Sequence, residues 1–182
     1  MSVRLLRTIR LDPSDTVVFE AAAEPGEIAV VGSFMFWDED PAALTGKARQ
    51  AFRAGFLGLG SFGFSTLVTV GQATVEEREA ALAALAGHIH AHLGAPDLAA
   101  ARAAAEEELA YAEGLAEGHA AGTVIALTRS IEESGVRERF RTLKPKGSPQ
   151  ALPVIGLLRT EDGEGEATEE VDLVALMRSS GS

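Results

Sequence analysis

The chain has 182 residues, with 16 Lys and Arg against 27 Asp and Glu, a formal net charge of -11, and no cysteine. That length predicts one domain. The charge argues against general nucleic-acid binding and against anionic membranes, and the missing thiols exclude disulfides, thiolate metal sites and cysteine nucleophiles. Hydrophobic residues at 46% and charged residues at 24% are those of an ordinary globular protein. No apolar run reaches the roughly 18–20 residues of a membrane helix. Arg4, Arg7 and Arg10 interrupt the N-terminal apolar residues, leaving no continuous signal-peptide core. The expected compartment is the cytoplasm.

In chain order, residues 3–11 alternate, with Val3, Leu5, Ile9 and Leu11 on one face broken only by Arg7, which predicts a half-buried strand. Asp12-Pro13-Ser14-Asp15 reads as a turn, Thr16 to Glu20 as a second strand, and Glu24 to Glu27 as another turn. Residues 28–36 are apolar on both parities, the pattern of a strand covered on both faces. Asp40-Pro41 predicts a helix start, with Asp as N-cap and Pro at the first helical position. The stripe Leu44, Ala48, Ala51, Phe52 continues that helix to Gly55, and a glycine-rich loop follows to Gly63.

Residues 64–71 predict a further strand. Thr74-Val75-Glu76-Glu77 is a capping box opening a helix to about Gly94, with core stripe Val75, Leu82, Leu85, Ile89, Leu93. Pro96-Asp97 opens a third helix, whose narrow stripe Leu98, Ala105, Leu109, Ala112, Ala116 suits close packing. Residues 123–131 and 136–143 form a predicted hairpin about Ser134-Gly135, the second arm alternating Arg137, Arg139 and Arg141 against Val136, Phe140 and Thr142. The expected fold is α+β: a mostly antiparallel sheet of five or six strands with about three helices packed mainly on one face. Residues 1–146 form the predicted single domain. Residues 147–182 supply a linker, an acidic loop and a short C-terminal helix packing on that domain.

Several motifs suggest chemistry. Gly58-Leu59-Gly60-Ser61-Phe62-Gly63 spells G-x-G-x-x-G, but a helix precedes it and a strand follows. A dinucleotide site needs the reverse order, so that a helix N-terminus meets the phosphate. His88 and His92 share a helix face at i, i+4, while His90 points away by roughly 160° at 100° per residue. Two imidazoles without a third ligand hold metal weakly, so neither metal nor cofactor is expected. Asp38, Glu39 and Asp40 could serve as acid and base, yet Asp40 already caps a helix and its neighbours read as solvated turn residues. No nucleophile elbow is present.

Aromatics cluster between 34 and 64. Trp37 beside Asp38, and Phe56, Leu57 and Phe62 in the glycine loop, form the predicted binding surface; a loop folded on its own core is the competing reading. Arg137, Arg139 and Arg141 either blunt an edge strand against aggregation or recognise an acidic partner.

Leu5-Leu6-Arg7-Thr8-Ile9-Arg10-Leu11-Asp12-Pro13-Ser14-Asp15-Thr16, Phe34-Met35-Phe36-Trp37-Asp38, Gly46-Lys47-Ala48-Arg49-Gln50-Ala51-Phe52-Arg53-Ala54-Gly55-Phe56-Leu57-Gly58 and Ser61-Phe62-Gly63-Phe64-Ser65-Thr66-Leu67-Val68 together resemble an uncharacterised proteobacterial family, a domain of unknown function. The resemblance implies an accessory role serving a redox metalloenzyme system and transfers no catalytic residue. The expected function is therefore a binding or accessory protein with a protein partner and no catalysis of its own. The alternatives are an enzyme using the carboxylates at 38–40 or a weak histidine metal site, and a structural homo-oligomer joined through its Ala-rich helix.

Overall fold

The computed structural model describes residues 1–143 and the backbone of 157–159. These form one sheet with helices α1 (Ser14–Val18), α2 (Gly46–Ala54), α3 (Val75–His92) and α4 (Leu98–Glu117). The strands are β1 (Ser2–Ile9), β2 (Ile28–Val30), β3 (Phe56–Gly58), β4 (Phe64–Ser65), β5 (Leu67–Thr74), β6 (Val124–Glu132), β7 (Gly135–Leu143) and β8 (Leu157–Arg159). Their spatial order is β4-β3-β2-β1-β5-β6-β7-β8, and every ladder is antiparallel. The α+β class stands, with more strands and one more helix than expected. Among the described residues no helix is long and apolar enough to cross a membrane.

The two long helices open at their capping signals, but Val75 and Leu98, the first residue of each expected core stripe, stand in the first turn and are exposed. Thr74 Oγ1 accepts from the Glu77 backbone N–H at 3.1 Å while Glu77 accepts from the Thr74 N–H at 2.8 Å, closing the capping box of α3. Asp97 Oδ1 accepts from Ala100 N–H at 2.7 Å and starts α4. Ala101, Ala105, Leu109, Ala112 and Ala116 are all fully buried. The alanine stripe is thus consumed inside the chain, in the packing of α4 on α3, β1 and β2.

Four readings of local structure change. The segment 16–20 is not a strand. Asp12 Oδ1 accepts from Ser14 N–H at 2.8 Å and the Thr16 hydroxyl donates to Pro13 O at 2.6 Å, so the turn winds on into α1 and buries Asp15 and Phe19. The strand expected over 28–36 stops at Val30. Gly32 adopts φ +83°, where a Cβ would stand 2.8 Å from that of Leu57, and Ser33–Phe36 form a 3-10 turn. Asp40 caps only the 3-10 turn Pro41–Ala43, accepting from Ala42 N–H at 3.0 Å; α2 begins after Thr45. The glycine loop contains β3 and is a tight hairpin into β4, with Gly58 N–H donating to Gly63 O at 2.9 Å. The linker, acidic loop and C-terminal helix expected within 147–182 lie outside the described residues, apart from the β8 backbone.

Register makes one face continuous. Thr8, Val68, Ile125 and Thr142 stand in line across β1, β5, β6 and β7, and all four are buried. Two and four residues further along the same face of β6 and β7 come the pairs Leu127–Phe140 and Arg129–Glu138. The sheet rolls along this face. β3 and β7 are five places apart in strand order, yet the Phe56 and Phe140 ring centroids are 6.4 Å apart. Arg129, 1% exposed, staples the roll: Nη1 donates to Phe52 O at 2.8 Å and Gly55 O at 3.3 Å, and Nη2 to Val31 O.

Candidate binding site

The 3-10 turn after Gly32 determines where Trp37 stands. Phe34 and Met35 pack on the core, and Trp37 N–H donates to Phe34 O at 3.2 Å, ending the turn with the indole outward. Trp37 is 63% exposed, the chain's single tryptophan. It lines a groove of about 370 Å³ with Phe34, the C-terminal end of α3 (Ile89, Leu93), the connection Gly94-Ala95, and Ala104, Glu107 and Glu108 of α4. Apolar walls with two carboxylates along one side would suit a hydrophobic group carrying a positive charge. Asp38, Glu39 and Asp40 are exposed beside this groove in sequence but do not line it.

The other residues of the predicted surface separate. Phe56 and Leu57 are fully buried. They are core because β3 pairs along both edges with β2 and β4, and its side chains join the hydrophobic core, Phe56 packing near Phe140, in a segment that composition alone marks as a loop. Phe62 is half-buried at φ +57° and stacks on His88, centroids 4.0 Å apart and planes within 7°. His88 in turn lies 4.8 Å from His92. Burial first, and the neighbouring His92 second, hold the His88 pKa below its ordinary value. Among the described residues no group of three or more His, Asp or Glu could hold a metal.

Arg137, Arg139 and Arg141 share the other face of β7, pairing with Ser130, Thr128 and Ala126. On its outer side β7 pairs with β8 over Glu138, Arg139 and Phe140, so it is not a free edge at Arg139. Arg137 and Arg139 both reach Glu132, at 3.1 and 3.6 Å. Arg141 lines a separate cavity of about 220 Å³ with Asp12, Asp15 and Ile9.

The glycine motif does bind an anion, but one of the chain's own. The Gly60 N–H donates to Glu27 Oε1 at 2.7 Å, the Ser61 N–H to the same oxygen at 2.5 Å, and the Ser61 hydroxyl to Oε2 at 2.8 Å. A Cβ on Gly60 would meet Oε1 at 2.8 Å, so the glycine admits the carboxylate. Backbone N–H groups turned toward one point form an anion-holding concavity; here Glu27 fills it. Sequence reasoning missed Glu27 because a glutamate after Pro25-Gly26 looks like any turn acid. It also missed Arg129, whose signal is legible in retrospect: an arginine on the parity of Ile125 and Leu127.

Residues 2–157 match a family described as a family of unknown function, DUF6505. The chain belongs to that family. The DUF6505 match spans every strand from β1 to β7, so the Trp37 groove and the Glu27 contact both lie within it. No curated protein and no solved structure matches the chain.

Proposed function

We propose that this DUF6505 chain is a binding or accessory protein without catalysis of its own, and that a protein partner engages the Trp37 groove. The observation that carries this reading is Trp37 itself, 63% exposed at the edge of an apolar groove of about 370 Å³. A large aromatic left in water beside apolar walls is the pattern of an interface anchor. Glu107 and Glu108 on the α4 side select the partner's chemistry: a short segment presenting an apolar side chain next to Lys or Arg. The indole face adds cation–π attraction for the same charge. An accessory role accords with this arrangement, since recognition needs the groove and no reacting group.

The single tryptophan makes the test direct. Short peptides pairing Leu or Phe with Arg should shift Trp37 emission saturably, and their Asp counterparts should not. Glu107→Lys should weaken the basic peptides, and Trp37→Ala should weaken their calorimetric binding by more than about 1 kcal/mol. Equal response to basic and acidic peptides, or undiminished binding by Trp37→Ala, would defeat the proposal.

A further inference from the structure

A third concavity opens where β6 outruns its neighbour. The ladder between β5 and β6 ends at Leu67 and Ala126. Beyond it, Thr128, Arg129, Ser130 and Ile131 are flanked by α2 and the 41–43 turn, enclosing about 360 Å³. Its lining includes Arg49, Arg53 and Arg129, the hydroxyl residues Thr128 and Ser130, and no carboxylate.

Arg49 and Arg53 stand one turn apart on α2, where side chains at i and i+4 share a face. Both are exposed, and neither has a side-chain hydrogen bond or ion pair among the described residues. Two adjacent like charges disfavour a helix by a few tenths of a kcal/mol. In a chain with 27 Asp and Glu, a neutralising carboxylate would be the ordinary remedy, and none lines this cavity. Buried Arg129 adds fixed positive charge at the wall, though Glu138, opposite it across the ladder, offsets part of that charge. The net field of the site therefore comes from the two α2 guanidiniums.

We propose that this cavity binds the phosphate group of a small phosphate monoester. Two guanidinium forks match the several oxygens of a dianion, whereas one fork would satisfy a carboxylate. The volume exceeds that of the anion alone, and Pro41, Ala42 and Ile131 give its organic part an apolar wall. Nucleic acid is a poorer fit, because two arginines on a strongly acidic molecule cannot track a phosphate backbone.

The experiment is calorimetric titration with phenyl phosphate, inorganic phosphate and benzoate at constant ionic strength set with NaCl. Phenyl phosphate should bind saturably, inorganic phosphate more weakly, and benzoate weakest. The double variant Arg49→Ala, Arg53→Ala should lose about tenfold or more in affinity, and the double variant Arg49→Lys, Arg53→Lys should lose less, because the fork is lost while the charge remains. Both residues are exposed, so the variants should melt close to the parent. Lys47→Ala, which removes a charge from the same helix outside the cavity, should bind as the parent does. Benzoate binding as tightly as phenyl phosphate, or equal losses in Lys47→Ala and the double variant, would overturn the proposal.

Discussion

Arg129 enters the rolled sheet as a charge without water. Burial brings its pKa down to about 10, against the opposing pull of Glu138, Glu108 and Tyr111. Its two terminal nitrogens satisfy three backbone carbonyls, while Nε and the Glu138 Oε2 have no hydrogen-bond partner among the described residues. Arg129→Met should therefore destabilise by about 3–5 kcal/mol in urea unfolding, since it strands a buried carboxylate and those carbonyls together. Adding Glu138→Met should restore part of the loss, because removing both charges is far cheaper than removing one. His88 and His119 give a second residue-scale outcome. Burial lowers both pKa values below the unfolded value of 6.5. The unfolded chain thus takes up protons first as pH falls, so stability drops from about pH 6.5 down through the folded pKa values. Melting temperature measured between pH 7.5 and 5 should decline, and His88→Phe, which keeps a ring against Phe62, should flatten the slope. An unchanged slope in that variant would remove His88 from the account.

Among the elements, legibility follows length. Helices α3 and α4 were readable because caps and a long stripe repeat the same message several times over. The hairpin β6–β7 was readable for the same reason, with nine-residue arms; its two turn residues are Glu133 and Ser134, and Gly135 opens β7. β2, β3 and β4 have three, three and two residues. Strands so short have no period to detect, and only their neighbours make them strands. Phe56 shows the consequence for the site: flanking glycines read as a loop, but β3 pairs with β2 and β4 and the buried ring packs near Phe140. Phe56→Ala should therefore cost about 3–5 kcal/mol of stability, measured by denaturant melting, as other buried aromatics do. A loss under about 1 kcal/mol would mean that the ring is peripheral after all. Trp37 was legible because it follows an apolar run into acidic residues; the groove beside it was not, since residues 89–108 reach it only through tertiary packing.

At the scale of the molecule, the contact between Arg129 and Val31 closes a loop of 98 residues. That separation gives the fold a timetable. A ribosome releases the N-terminal strands first, and β1 to β5 can pair among themselves as soon as they emerge. Their roll has nothing to hold it shut until the last quarter of the described chain appears, and the late-arriving guanidinium must then shed its water to enter. Contacts of such long range slow folding, since the entropy of closure is spent before the contact rewards it. Through that interval the nascent sheet offers the edge of β5, later covered by β6, to whatever strand comes near.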